Sequence, residues 1–531
     1  MPAVSGVPHC GNGQIGAFGV CRLITGCTAV RHSEAMRATA TAADRWPPLL
    51  VLLTVLLTAA ACAPLLAIRT PAMVDYINHL ARMELLAAPG APGAYRIGWH
   101  LMPNLAMDIM VPWLARVMPV EAAARLFFGV TQLLLVSGEV ALEFSVKRRI
   151  GLAGLVALAV LFSLPFAWGL VNFSFGLGIA QWGLAAWTVF TARPLWQRAL
   201  LHAAVVAALF AAHFFALGIY GLVVGLIELP PLLHPRLQLR RAGELVAVLA
   251  APVLLLLAAM AATGSGIGED VFEWDFGLKL IWLLRFFNVY DLRVSVGLAA
   301  AVALLIVWAS ARRGLRPTSV GLRIAAGLAL LYLLLPRRLF GVAYVDVRVI
   351  AAAALILPAF VHMQRSRAVA AALVLIAVVN AGVSVAAWAA LARDYDEFRA
   401  SFVALAPGTA VLTAVAAESG AADAPLYYAP TLAAPARGVF VASLYAAGGM
   451  QPLAPAPAFA QLAVAQAIDY LPVPLASLGA GGHPLRHATH WRRDYRYLHV
   501  IGSLGATPLP GLTELVRGRR FVLYEVKRGP A

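Results

Sequence analysis

Charge is scarce in this sequence. Of 531 residues only 12% are charged, against 61% hydrophobic. An ordinary soluble domain carries about 25% charged residues, so a globular protein bathed in water is excluded. Cysteine is nearly absent. Cys10, Cys21, Cys27 and Cys62 all lie near the N-terminus and fit no zinc spacing. No disulfide framework is therefore read. The stretch Thr58-Ala-Ala-Ala-Cys62 lacks the leucine of a lipoprotein cleavage site, and the apolar run continues to Ile68, so Cys62 reads as a membrane residue. The strict alternation of a transmembrane barrel is missing too.

Apolar blocks of roughly twenty residues are what the chain has instead. Each is long enough to cross about 30 Å of hydrocarbon as a helix, and helices satisfy their own backbone in lipid. Runs lie at 48–68, 121–145, 150–170, 173–192, 199–229, 243–262, 292–310, 319–335, 349–363 and 368–390. The expected fold is an all-α polytopic transmembrane bundle of ten or eleven spans with a small C-terminal α/β domain. Residues 1–47 are Gly/Ala/Thr-rich and aperiodic and read as a disordered N-terminus, with Met36 a possible alternative start. The transmembrane domain is 48–390, with outer loops 69–120, 263–291 and 336–348. Residues 391–531 carry short β-type runs at 409–413, 438–442, 495–502 and 520–526 between prolines, the pattern of a small α/β domain.

The net charge of +16 has a simple origin. Fourteen cations sit in five short loops, around Lys147–Arg149, Arg193/Arg198, Arg236/Arg240/Arg241, Arg312/Arg313/Arg316/Arg323 and Arg365/Arg367. This is the bias of cytoplasmic loops, and no aromatic-interleaved basic patch points to nucleic acid. The run 199–229 decides the topology. Crossed once, it would put the later basic loops on the wrong side. Crossed twice as a hairpin with its tip near His213–Gly218, it puts all five on one side. Each arm is then about 23 Å long, and eleven spans place the N-terminus in the cytoplasm and the C-terminal domain outside. The implied location is a bacterial inner membrane with a periplasmic C-terminal domain.

The first outer loop reads Arg69-Thr-Pro-Ala-Met-Val-Asp75-Tyr-Ile-Asn78-His79-Leu-Ala-Arg82-Met-Glu84. Thr70 and Pro71 suit a helix start. Asp75, Asn78, His79 and Arg82 then share one stripe, with Met73, Ile77 and Leu80 opposite. The pattern predicts an interfacial amphipathic helix; Glu84 falls on its apolar side without explanation. Asp108 follows in the apolar stretch Pro103-Asn-Leu-Ala-Met-Asp108, and an acid at such a place is functional, paired or at headgroup level. In Pro336-Arg337-Arg338-Leu-Phe-Gly-Val-Ala-Tyr344-Val-Asp346-Val-Arg348 three arginines face the outer side against the charge bias, and guanidinium groups bind phosphate in pairs of hydrogen bonds. The plainer alternative pairs Asp346 with Arg348. Glu269, Asp270, Glu273 and Asp275 read mainly as a solvated acidic loop. His483, His487 and His490 lack neighbouring acids and sit beside Arg486, so no metal site is assigned and no cofactor is indicated, although a divalent metal is not incompatible. His213 reads as a packed core histidine.

One span, an outer loop with a prominent acid, many further spans and a soluble end domain resemble the C-superfamily of polytopic glycosyltransferases. The D-x-x-N-H-L-A-R loop at Asp75–Arg82, with Pro103–Asp108 and Tyr344-Val-Asp-Val-Arg348, resembles a group of bacterial membrane proteins of that architecture. The resemblance implies a catalytic carboxylate in the first loop, a role that falls to Asp75, and a polyprenyl-phosphate-linked sugar as donor. Many such enzymes pair two acids closely. Here Tyr76 and Ile77 follow Asp75, so either Asp108 or Glu84 would supply the second in space, or the site is not a standard one. The implied partners are the lipid bilayer, the lipid-linked sugar, and an envelope glycan, lipid or protein as acceptor. Asp75 would act as base, Asn78, His79 and Arg82 would hold it or the donor, and Arg337, Arg338 and Arg348 would hold the phosphate. A lipid-sugar transporter and a non-catalytic envelope assembly protein are the rival readings.

Overall fold

The computed structural model describes residues 48–88, 93–233, 239–262, 272–339, 342–417, 419–446, 451–464, 470–478, 485–502 and 510–527. The N-terminal segment 1–47, and with it three of the four cysteines, lies outside the described residues, as do Glu269, Asp270 and His483.

The helices follow the apolar runs. In chain order they are α1 (Pro48–Ala67), α2 (Tyr76–Ala87), α3 (Ala106–Leu114), α4 (Val120–Lys147), α5 (Ala153–Val160), α6 (Leu164–Ala167), α7 (Val171–Val189), α8 (Leu195–Ala212), α9 (Phe214–Leu233), α10 (Leu239–Ala262), α11 (Phe276–Arg285), α12 (Leu292–Ala311), α13 (Ser319–Leu334), α14 (Val345–Ile356) and α15 (Arg367–Ser401). Among the described residues, α1, α4, α7, α8, α10, α12 and α15 are long and apolar enough to cross a membrane, and α9 and α13 are shorter apolar helices. Local signals set their ends. Asp275, Asp291 and Thr318 cap α11, α12 and α13 through their side chains. Arg148 ends α4 in the left-handed region at φ 55°, its N–H bonded to the Phe144 carbonyl.

Two apolar runs are interrupted rather than continuous. The run 150–170 is divided into α5 and α6 around Ser163 and Pro165, and the run 349–363 leaves α14 for a 3₁₀ turn at Leu357–Phe360. Proline supplies no N–H and clashes with the preceding turn, which accounts for both breaks. The run 199–229 folds back at His213, whose backbone is extended (φ −165°, ψ 119°). Arg198 near the start of α8 reaches Glu228 near the end of α9 at 2.5 Å, and His202 meets the Tyr220 hydroxyl at 3.2 Å. The two helices therefore run antiparallel. Asn104 caps the fold-back: its backbone N–H reaches the Phe210 carbonyl and its Oδ1 accepts from the Phe214 N–H at 2.8 Å.

The β-elements begin with β1 (Tyr95–Ile97) in the first loop. Two small pairs follow between helices, β2 (Leu315–Pro317) with β5 (Val361–Met363), and β3 (Arg338–Leu339) with β4 (Val342–Ala343). The C-terminal region adds β6 (Ala410–Val415), β7 (Phe440–Val441), β8 (Leu453–Pro455), β9 (Val473–Pro474), β10 (Tyr497–Ile501), β11 (Leu512–Arg517) and β12 (Phe521–Val526). A six-stranded mixed sheet runs β11-β12-β10-β6-β7, with β9 also on β6. The four expected β-type runs correspond to β6, β7, β10 and β12. Alternation divides the faces: Val411, Tyr497, Phe521 and Leu523 join the core shared with the helices, while Leu412, Ala414, Val500 and Val522 form a second core with Trp491 and Tyr495. β1 pairs antiparallel with β8, tying the first loop to the C-terminal region.

The helix α2 departs from expectation in two respects. It starts at Tyr76, not after Thr70. The Asp75 N–H is taken by the Trp168 carbonyl at 2.8 Å, and the Thr70 hydroxyl accepts from Arg399 at 3.0 Å. Tertiary partners thus claim the groups that would have capped a longer helix. Nor does α2 leave a face open: Ile77, Leu80 and Met83 are fully buried on one side, and Asn78 and Arg82 are buried on the other. Its polar stripe faces the C-terminal region.

Candidate functional site

Asp75 stands at the N-terminal end of α2, where no side-chain cap bond restrains it. Gly169 makes that placement possible. Its φ of +85° suits glycine, and an added Cβ would come within 2.9 Å of the Tyr76 nitrogen and 3.2 Å of the Asp75 Cβ. The Trp168 carbonyl can therefore approach and hold the Asp75 backbone.

The carboxylate accepts a hydrogen bond from the Tyr445 hydroxyl at 2.9 Å. Tyr445 comes from the C-terminal region, in ring contact with Tyr428, Tyr470 and His79 at 5.2, 5.1 and 5.7 Å. Arg348, on the first turn of α14, is buried. Its Cζ lies 5.8 Å from the Phe173 ring centre, and its Nε has no hydrogen-bond partner. No ion pair joins Arg348 to a described carboxylate, yet its charge acts on Asp75. Burial pushes the Asp75 carboxyl up to about 7; the Tyr445 hydrogen bond, Arg348 and Arg82 pull the other way. Burial likewise pulls the Arg348 guanidinium down to about 10, with Asp75 opposing, and raises Tyr445 well above the usual phenol range, with Asp75 adding to the effect. Each shift has the sign expected for a charge moved out of water.

Tyr344 completes the surroundings. It is the residue before α14 and sits in the left-handed region at φ 58°. A bulky residue there is strained by about 1–3 kcal/mol, a cost typically tolerated at sites with a task. Its ring is packed against Trp168 at 4.3 Å and Trp282 at 5.4 Å, with Arg337 5.5 Å from its centre. The Trp282 Nε1 is buried without a partner. Asp75, His79, Trp168, Tyr344 and Tyr445 each keep some exposed surface, while Arg348, Tyr428 and Tyr470 behind them are buried.

The other expected site residues fall into three groups. Asn78 is committed to the chain itself: its Nδ2 donates to the Ser443 carbonyl at 2.6 Å and its Oδ1 accepts from the Tyr445 N–H at 2.7 Å. It grips the backbone that delivers Tyr445. Arg82 and Asp108 form a buried two-point ion pair at 2.7 and 3.0 Å. Asp108, expected as a second catalytic acid, has both oxygens engaged there. Arg82 also donates to His79 Nδ1 at 3.2 Å. A guanidinium has no acceptor, so the His79 proton belongs on Nε2; burial, then Arg82, pulls that imidazole well below its usual range. Arg337 and Arg338 both meet Glu273, at 3.7 and 3.2 Å. Of the three arginines, Arg348 is the one coupled to Asp75, Arg337 reaches the same surroundings through Tyr344, and Arg338 turns to Glu273. Asp346 pairs with Lys279 at 3.3 Å, not with Arg348.

Glu84 is half-buried beside Glu121, and burial followed by that neighbour raises it to about 7. Glu121 itself links Arg69 and Arg399 at 2.9 and 3.0 Å. Asp275, read as part of a solvated loop, caps α11. His213 packs against Phe173 at 5.5 Å, as a core histidine does. Tyr445, Tyr428 and Trp168 were not legible as site residues, since no spacing signal links them to Asp75. Among the described residues no three His, Cys, Asp or Glu side chains gather as a metal set.

No family model matches the chain, and no curated protein matches it by sequence. A solved structure with a similar chain path is that of ArnT from Cupriavidus metallidurans in the apo state. The two are 12% identical, the likeness covers 91% of this chain and 98% of that one, and the TM-score is 0.49. A likeness of that degree carries no functional argument.

Proposed function

We propose that this protein is a membrane glycosyltransferase that moves a sugar from a polyprenyl-phosphate donor to an envelope acceptor on the periplasmic face of a bacterial inner membrane. The observation that carries the reading is Arg348: a buried guanidinium whose Nε has no hydrogen-bond partner and which makes no ion pair among the described residues, and whose charge acts on an Asp75 carboxyl pushed up to about 7. Glycosyl transfer from a lipid phosphate needs these two groups. Asp75 takes the proton of the acceptor hydroxyl, whose oxygen attacks the anomeric carbon. The bond from that carbon to the phosphate oxygen breaks, and the phosphate leaves with the electron pair, so the anomeric centre inverts. Arg348, with Arg337 beside Tyr344, meets the charge that develops on the phosphate. Asn78, Arg82, Asp108 and His79 hold these groups in place.

The test uses undecaprenyl phosphate as probe, with the full chain in lipid nanodiscs. Wild type and Asp75→Asn bind it, and Arg348→Ala binds at least tenfold more weakly. Equal binding by all three overturns the phosphate assignment. A lipid-sugar carrier is the second reading, favoured by the interrupted α5–α6 and α14 segments. It predicts that Asp75→Asn still moves a lipid-linked sugar across a vesicle membrane.

A further inference from the structure

The span α4 carries polar groups through its buried side. Gln132 and Glu139 are fully buried and seven residues apart, so they share one face, and Glu143 and Lys147 continue it. Ionisable groups at such depth are costly and are paired or functional.

The lower pair is closed. The Lys147 ammonium donates to Glu143 Oε1 at 2.9 Å, to the Pro358 carbonyl at 2.9 Å and to the Val361 carbonyl at 2.6 Å, which uses all three of its protons. The second oxygen of Glu143 accepts from the Gly151 N–H at 2.8 Å. No donor of Lys147 remains for Glu139. Gln181 of α7 meets Glu139 instead: its Nε2 donates to Glu139 Oε2 at 3.1 Å and to the Leu355 carbonyl at 2.5 Å. Glu139 Oε1 and Gln181 Oε1 are both buried and both without a partner. Gln132, two turns away, has neither of its polar atoms paired.

Two acceptor oxygens on hydrogen-bonded neighbours, with no donor left over from Lys147, call for a hydrogen between them. The geometry points to Glu139 as a proton-binding site inside the bundle, the acid O–H donating to Gln181 Oε1 while the Gln181 amide donates back. The result is a neutral acid–amide ring. The charged groups facing it, among the described residues, are Glu143 and Lys147 on its own helix; α7 presents Gln181, and the 3₁₀ turn after α14 presents the Ala359 N–H. The site has a reach beyond itself. Gln181 also holds the carbonyl of Leu355 at the end of α14, and Arg348 lies seven residues, about 10 Å, up the same helix. The acid–amide ring therefore shares Gln181 with the helix that carries Arg348.

The test is hydrogen/deuterium infrared difference spectroscopy on the full chain in lipid nanodiscs at neutral pH. Wild type minus Glu139→Gln shows the carbonyl band of a protonated, slowly exchanging carboxylic acid. Glu139→Gln keeps its melting temperature, because its amide N–H takes the place of the acid O–H. Gln181→Leu shifts the band without removing it, and this variant decides the matter if Glu139→Gln does not fold. Absence of the band in wild type overturns the proposal. So does a rise in wild-type thermal stability with added sodium or potassium chloride that Glu139→Gln lacks, since the two oxygens would then hold a metal cation.

Discussion

The Tyr445 hydroxyl donates to Asp75 at 2.9 Å across 370 residues of sequence. The C-terminal region thus supplies the hydrogen bond that holds the one prominent acid of the first loop. Asn78, one turn along α2 from Asp75, grips the same C-terminal segment on both sides, so the motif at Asp75–Arg82 is as much a docking surface as a chemical one.

Tyr445→Phe removes a bond that lowers the Asp75 carboxyl. The proposed function makes the basic form of Asp75 the active one, so on that reading transfer rises as pH passes through about 7. Without the phenol that midpoint moves to higher pH, and the pH profile of kcat/KM for the purified protein measures it. An unmoved midpoint removes Tyr445 from the site.

Asp75→Asn lowers transfer by about 10²–10⁴-fold, the usual worth of a general base. Its effect on stability has the opposite sign. Burial pushes the folded carboxyl up to about 7, above its ordinary range, so stability is lost as pH rises from about 4 to about 7 and stays lower above that. At pH 8 the variant melts above wild type, and the gap closes at pH 4. Thermal unfolding at the two pH values checks it.

The Arg82–Asp108 pair is buried on both sides. Removing one partner strands a charge, so Asp108→Ala costs about 3–5 kcal/mol. The double variant Arg82→Met, Asp108→Leu recovers much of that loss. A double-mutant cycle in thermal stability distinguishes this holding role from a catalytic one, for which the double variant would be folded yet inactive and the single variant equally stable.

His499 lies fully buried in β10, 5.1 Å from Phe398 and 4.9 Å from Phe521, with neither ring nitrogen partnered. Burial pulls it down to about 3. Its folded value is depressed, so its contribution is whole above its ordinary value near 6.5 and is lost as pH falls from there toward 3. His499→Phe removes two unpaired polar atoms and this acid sensitivity. It raises the melting temperature by a margin that widens as pH falls from about 7 to about 4, and an unchanged wild-type acid limb in the variant contradicts the assignment.

The apolar runs, the basic loops and the β-type segments were legible because each is a local pattern: hydrophobic length sets a helix, period-two alternation sets a strand. The fold-back at His213 followed from charge parity, and short motifs singled out Asp75 and Arg348 as candidates. What these residues do to one another was decided by tertiary structure alone. The stripe at Asp75, Asn78, His79 and Arg82 is a property of helical spacing, but Asn78 became a backbone clamp and Arg82 took Asp108 because partners far away in sequence arrived there. Lys279 claimed Asp346, and the Trp168 carbonyl shortened α2, for the same reason. Glu139 illustrates the limit most simply. A single glutamate in an apolar run has no local partner to reveal it, and whether it carries a charge or a proton depends on which donors the packed helices leave free.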